Sequence, residues 1–208
     1  MPHPVFRSPA VSRRAALVYA GACACAPLAA PAAEVAGVKF DDRITVAGVN
    51  LGLNGAGIRH KAVFKVYAAG LYLSRKADTP EGVLSATGPK RLSITMLRDI
   101  DSAELGKLFA RGMEDNMDRS IFSRLIPGVM RMSDLFSRHK QLRTGETFQV
   151  DWVPGAGTVI TVKGQVEGEP FKEPEFFNAL MLIWLGPRPA DWQLKDALLG
   201  QAPTLRPR

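Results

Sequence analysis

The sequence predicts an α+β fold, in which antiparallel strands and segregated helices build one domain. Two observations indicate this class. The residue patterns run in the order strands, helices, hairpin and helices, without the regular alternation of strand and helix that a doubly wound α/β fold requires. The chain of 208 residues is 46% hydrophobic and 23% charged, which is typical of a globular protein of about one domain.

Strand patterns come first in the predicted domain. Alternating apolar residues at 38–40 and 44–53, with a Gly-Val-Asn turn signal at 48–50, predict a β-hairpin. A loop of small residues is predicted at 53–57, followed by a long strand over about 61–73. Residues 91–97 predict a further strand after a short helix, which begins at the Thr79-Pro80 pair.

Two helices are predicted next. Asp101 or Ser102 should cap a helix that continues to about residue 117, because apolar residues recur there at helical spacing. A second helical stretch covers 121–136, and Pro127-Gly128 should kink or divide it.

The last third of the chain predicts a hairpin and two more helices. Residues 148–153 and 158–162 flank a Pro-Gly-Ala-Gly turn, and Val166 extends a short further strand. Residues 176–185 are apolar nearly all the way round, which predicts a buried helix too short to span a membrane. A final short helix is predicted over 191–199.

Residues 1–33 have the pattern of an export signal, which leaves 34–208 as the domain. Arg13 and Arg14 precede an uncharged apolar run, and small residues before Glu34 offer a cleavage site. This pattern predicts a periplasmic protein. The arginine pair leaves both the general secretory route and the twin-arginine route open.

Both cysteines, Cys23 and Cys25, fall inside this segment. They are interpreted as small apolar residues of the signal, with a lipoprotein signal as the alternative. Cleavage near Ala33 would leave no thiol for disulfides, nucleophilic catalysis or metal binding. The segment also holds three of the 27 basic residues and no acidic one, so the formal charge would fall from +7 to +4, which gives weak support for nucleic-acid binding.

Three blocks of the sequence carry a family resemblance. They are 53–73 (LNGAGIRHKAVFKVYAAGLYL), the strand-to-helix segment 88–117, and 176–200 (FFNALMLIWLGPRPADWQLKDALLG). These blocks resemble the chalcone isomerase-like family, in its bacterial exported branch. The resemblance implies an open-faced β-sandwich, with a long antiparallel sheet covered by a helical layer and a ligand cleft between them. The family includes isomerases that cyclise chalcones and non-catalytic members, some of which bind fatty acids.

The first block contains the candidate anion-binding residues. Arg59 follows the Gly-Ala-Gly segment, where the resemblance implies the Arg that holds the phenolate of a chalcone. A guanidinium stays charged and binds an anion through two parallel N–H groups, although an Arg in a solvated turn is the alternative. The fatty-acid-binding members pair this Arg with a Tyr. Tyr67 is at that strand position, so the resemblance implies a carboxylate held by Arg59 and Tyr67.

The orientation of Tyr67 stays open at this point. An apolar face formed by alternate residues of the strand would group Tyr67 with Lys61 and Lys65. Tyr67 would then face solvent, unless a β-bulge shifts the register.

The remaining catalytic positions of the isomerases do not match. The resemblance places Tyr67 where they have Thr, Leu105 where they have a catalytic Tyr, and Gly112 where they have a catalytic Asn. A late Thr or Ser falls near Val166. Cyclisation needs several ordered hydrogen-bond donors around an oxyanion, so the namesake reaction is not expected.

Asn116 is a further candidate for the cleft, one turn beyond Gly112 on the helical stripe, with a helix-end Asn as the alternative. His60 and His139 lack metal-ligand spacing, and no metal or cofactor is expected.

The leading hypothesis is a non-catalytic periplasmic protein that binds a small amphipathic carboxylate, such as a fatty acid. The alternatives are an isomerase of unknown substrate and an assembly factor with a vestigial cleft. Neither nucleic-acid binding nor a transmembrane segment in the mature chain is expected, and the oligomeric state is open.

Overall fold

A computed structural model of the chain describes residues 33–202. The predicted signal, residues 1–33, therefore lies outside the described residues, except for Ala33 at the start of the first strand. Both cysteines lie outside them as well.

A seven-stranded antiparallel sheet forms the centre of the domain, in the strand order β11-β10-β9-β6-β5-β4-β3. The strands β1 and β2 form one separate ribbon, and β7 and β8 form another. The strands are β1 Ala33–Val35, β2 Val38–Phe40, β3 Arg43–Val46, β4 Val49–Lys61, β5 Phe64–Leu73, β6 Lys90–Met96, β7 Ile100–Asp101, β8 Gln141–Leu142, β9 Thr147–Val153, β10 Gly157–Val162 and β11 Gln165–Val166.

The helices cover one face of this sheet. They are α1 Pro80–Ser85, α2 Ser102–Glu114, α3 Arg119–Ser137, α4 Pro174–Leu185 and α5 Trp192–Leu198. Their apolar sides share one core with alternate residues of β5, among them Ala69 and Leu71. The opposite side chains of β5, Ala68 and Tyr72, pack in a second, smaller core with Phe40 of β2. The α+β class and the sheet covered by helices are confirmed.

Local sequence signals set most helix starts. The carboxylate of Asp101 accepts a 3.0 Å hydrogen bond from the N–H of Glu104 at the start of α2, and Asp191 caps α5 in the same way.

The predicted buried helix is confirmed, because Phe176, Phe177 and Trp184 of α4 are each at most 1% exposed. The helix α3 runs undivided through Pro127.

Two strand predictions were wrong. The small residues at 53–57 do not form a loop, because they lie inside β4. A Cβ atom at Gly57 would lie 2.6 Å from the Cβ of Ala197, so glycine is needed there to let α5 pack directly on the strand. The strand predicted over 61–73 is interrupted, since β4 ends at Lys61 and β5 begins only after a turn at 62–63.

Candidate functional site

A cleft between the sheet and the helical layer has a cavity volume of about 170 Å³. It is bounded by the ends of β4 and β5, by α2, by α4 and by the loop that follows α4. Its lining residues are Arg59, Val66, Tyr67, Ile100, Leu105, Leu108, Phe109, Arg111, Gly112, Asp115, Ile183, Arg188, Pro189 and Ala190.

Tyr67 faces the cleft because it alternates with Ala69 and Leu71 on the helix-covered face of β5, and a β-bulge brings Val66 onto the same face. Arg59 of β4 pairs with Tyr67 of β5, but the next residue, His60, pairs with Lys65, which leaves Val66 as an extra residue on β5. Val66 and Tyr67 both line the cleft, although consecutive strand residues normally point to opposite faces. The two orientations left open by the sequence are thus resolved in favour of the helix-covered face.

Tyr67 is held by Trp184 of the buried helix α4. The indole N–H of Trp184 donates a 2.8 Å hydrogen bond to the Tyr67 hydroxyl oxygen, and Tyr67 is only 3% exposed. An indole N–H is only a donor, so this bond occupies an acceptor site of the hydroxyl and leaves the Tyr67 proton to be donated elsewhere.

The Tyr67 hydroxyl stays protonated over the physiological range. Its burial raises its pKa to about 12, and this effect outweighs the opposing effects of the Arg59 charge and of the hydrogen bond from Trp184. The hydroxyl therefore acts as a neutral hydrogen-bond donor and is a poor general base near neutral pH.

Arg59 provides positive charge beside this hydroxyl. It is half-buried, and its guanidinium carbon lies 5.7 Å from the centre of the Tyr67 ring. None of the ion pairs among residues 33–202 involves Arg59. The nearby carboxylate of Asp191 accepts hydrogen bonds from backbone N–H groups, including that of His60 at 2.7 Å. Arg59 is thus positioned to bind an incoming anion.

The mouth of the cleft carries further charges. Arg111 Nε lies 3.7 Å from Asp115 Oδ2, and their side chains are 80% and 46% exposed. An exposed pair of this kind contributes little to stability. Arg188 is also exposed at the mouth, so the charge around the mouth is positive in balance.

Asn116 does not line the cleft, which differs from the sequence-based expectation. Its amide nitrogen donates to the carbonyl oxygens of Gly112 and Arg188, each at 2.8 Å. Its oxygen accepts a 2.7 Å hydrogen bond from the N–H of Arg188. The side chain thus closes the end of α2 through one hydrogen bond and joins it to the loop after α4 through two, which is the helix-end role given above as the alternative.

The sequence and fold match known proteins. The family model described as "Chalcone isomerase-like" matches residues 32–200. The chain belongs to the chalcone isomerase-like family. Comparison with curated protein sequences gives no match. The crystal structure of a fatty-acid binding protein from Arabidopsis thaliana is similar in fold, with a TM-score of 0.65 and 15% sequence identity, over 78% of this chain and 92% of that one.

Three of the four positions at which the chain differs from the isomerases line the cleft, namely Tyr67, Leu105 and Gly112. Leu105 and Gly112 face it from α2, so the cleft is apolar where the resemblance implies a Tyr and an Asn in the isomerases. Val166 lies on β11 with 64% of its surface exposed and is not among the lining residues.

Sequence reasoning missed Trp184, because its pattern indicates only a core aromatic. A Trp or Tyr buried in an apolar helix needs a partner for its polar atom, and that requirement was the available signal. The partner itself is 117 positions away along the chain.

Other kinds of site find no support in the described part of the chain. Residues 33–202 contain no group of three or more His, Cys, Asp or Glu side chains arranged to hold a metal ion. No helix in the same range is long and apolar enough to cross a membrane.

Proposed function

We propose that the cleft binds the carboxylate of a small amphipathic acid, such as a fatty acid, and that the protein acts without catalysis after export to the periplasm. The observation that carries this proposal is the pairing of a neutral hydroxyl donor, Tyr67, with a charged guanidinium, Arg59, in a cleft whose remaining lining is apolar apart from the charged groups at its mouth. Guanidinium and hydroxyl donors suit a carboxylate, and the apolar walls suit an acyl or aryl group.

The chemistry of the cleft favours binding over turnover. The pKa of Tyr67, about 12, is far from the pH at which it would exchange protons efficiently. Asp115 is the carboxylate of the lining, and it lies at the exposed mouth beside Arg111. Leu105 and Gly112 offer no side-chain donors to a developing oxyanion. The fold shared with a fatty-acid binding protein adds support.

The cleft volume limits the ligand. The 170 Å³ cavity is smaller than the roughly 300 Å³ at which ligand pockets commonly begin. We expect affinity to rise about fourfold for each added CH₂ while the chain fills the cleft, because each buried CH₂ contributes about 0.8 kcal/mol. The increase should stop before palmitate, where further carbons extend into solvent.

Calorimetric titration with octanoate, laurate and palmitate tests the proposal. Arg59→Met and Tyr67→Phe should each weaken laurate binding by about tenfold or more, since each removes a hydrogen bond to a charged group. Arg124→Met is the matched control, because Arg124 is exposed on α3 and lies outside the cleft lining. The proposal fails if the wild-type protein binds none of these acids, or if Arg59→Met binds laurate as well as Arg124→Met does.

Export is a separate part of the proposal and has its own test. Cell fractionation followed by intact mass measurement should find the protein in the periplasmic fraction, cleaved near Ala33. A full-length chain in the cytoplasmic fraction would contradict this part without affecting the ligand.

A further inference from the structure

The end of the β4–β5 hairpin projects two apolar side chains into solvent. Val63 is 85% exposed and Phe64 is 57% exposed, which makes them the two most exposed neighbouring apolar residues of the described chain. We call residues 61–65 the hairpin tip. Isolated exposed apolar residues are common. Two adjacent ones at the end of a projecting hairpin form a small apolar surface, and exposing this surface to water is unfavourable.

Basic side chains surround these apolar residues. Lys61 and Lys65 flank them on the tip, and both are exposed. The Arg98 guanidinium carbon lies 5.0 Å from the centre of the Phe64 ring. The tip thus combines an apolar end with a basic collar, which is the arrangement of protein segments that insert shallowly into anionic membrane surfaces.

The whole end of the sheet shares this charge. The segments that meet there are 61–65, 96–101, 138–147 and 163–167, joined across β5, β6, β9 and β10. They contain seven Lys and Arg residues against four Asp and Glu residues. One of these carboxylates, Glu146, already lies 2.8 Å from Lys163. An anionic surface that approached this end would therefore meet an excess of positive charge.

The hairpin tip is continuous with the cleft. Val66, the bulged residue that directly follows the tip, lines the cleft, and its carbonyl oxygen accepts a 3.0 Å hydrogen bond from the N–H of Leu97. Ile100, on the segment that carries Arg98, lines the cleft as well. A surface in contact with the tip would lie beside the cleft.

We propose that the hairpin tip docks the protein on an anionic phospholipid bilayer, with Val63 and Phe64 inserted among the lipids and the basic residues beside the headgroups. The docking does not depend on which ligand the cleft takes. If the cleft binds a fatty acid as proposed above, docking brings it beside the membrane in which such acids dissolve.

Sedimentation with lipid vesicles tests this proposal. All variants are used in the same N-terminal form, verified by intact mass, and are mixed with vesicles of phosphatidylcholine or of phosphatidylcholine with an equal amount of phosphatidylglycerol. The wild-type protein should bind the mixed vesicles more tightly, and added salt should weaken this binding because it screens the charges. The double variant Val63→Ser with Phe64→Ser should bind these vesicles at least about tenfold more weakly, since two apolar side chains no longer insert.

Two further variants make the result specific. Met130→Ser is the matched control, because Met130 is 63% exposed on α3 and lies outside the tip, and it should bind as the wild type does. Lys61→Gln with Lys65→Gln should weaken binding to the mixed vesicles and not to phosphatidylcholine alone. Equal binding by the wild type and the double serine variant would overturn the proposal, as would an equal loss in Met130→Ser. Laurate titration of the double serine variant should be unchanged, which separates this proposal from the function proposed for the cleft.

Discussion

Trp184 of α4 donates a 2.8 Å hydrogen bond through its indole N–H to the hydroxyl oxygen of Tyr67 on β5. The bond joins the helical layer to the sheet inside the core, and it fixes the Tyr67 hydroxyl as a donor toward the cleft. The register of β4 and β5 places Tyr67 beside Arg59, its partner across the strands. The binding geometry of the cleft therefore depends on a residue that does not line it.

Trp184→Phe should destabilise the protein by about 2 kcal/mol, because it removes a buried hydrogen bond and leaves a small cavity. Denaturant unfolding measures this loss, and laurate titration should show weaker binding because Tyr67 is less well held. Trp192→Phe is the matched control, since Trp192 is 38% exposed, and it should cost less than half as much. Equal losses in the two variants would contradict the role of the buried indole.

The raised pKa of Tyr67 predicts how stability depends on alkaline pH. In the unfolded chain Tyr67 loses its proton near pH 10, whereas in the folded protein its pKa is about 12. Between these values the folded state binds more protons than the unfolded state, so the free energy of unfolding decreases as pH rises. The stabilisation is fully present below pH 10 and is lost as pH rises to about 12.

In Tyr67→Phe, the free energy of unfolding should therefore fall less steeply at alkaline pH. Between pH 10 and 12 the free energy of unfolding of the wild type should fall more steeply than that of Tyr67→Phe, by about 1.4 kcal/mol per pH unit. Urea unfolding at a series of pH values measures the difference. Parallel pH profiles would show that Tyr67 titrates at its ordinary pKa and is not desolvated.

Asn116 should matter for stability more than for ligand affinity. Asn116→Ala removes three hydrogen bonds, two of which join the end of α2 to Arg188 in the loop after α4, and should cost about 2–4 kcal/mol in the free energy of unfolding. Titration well below the unfolding temperature should show a smaller loss of laurate affinity than Arg59→Met gives. A variant of normal stability that no longer binds laurate would instead indicate direct contact with the ligand.

The packing of α5 on β4 should tolerate no side chain at Gly57. The added Cβ of Gly57→Ala would lie 2.6 Å from Ala197 Cβ and 3.2 Å from Leu194 Cδ1, so the variant should lose about 1–3 kcal/mol of stability. Gly52→Ala, on the same strand, is the control, because its nearest neighbour is the Asp42 oxygen at 3.9 Å. Thermal unfolding compares the two, and equal midpoints would contradict the close approach of α5.

By itself, the sequence determined the α+β class, the starts of α1, α2 and α5 and the hairpin of β9 and β10. These features depend on local causes, namely helical or alternating periodicity, capping residues such as Asp101 and Asp191, and turn residues. It also singled out Arg59 and Tyr67 through the resemblance of one short block.

Only the tertiary structure decided what these residues can do. Whether 53–57 is a loop or a strand depended on α5 packing against it, and the orientation of Tyr67 depended on which face of β5 the helices cover. The partners of Asn116 and Trp184 lie 72 and 117 positions away along the chain. Periodicity and capping act within a few residues, whereas strand register and side-chain partners are set by contacts between distant segments, and those contacts form the cleft.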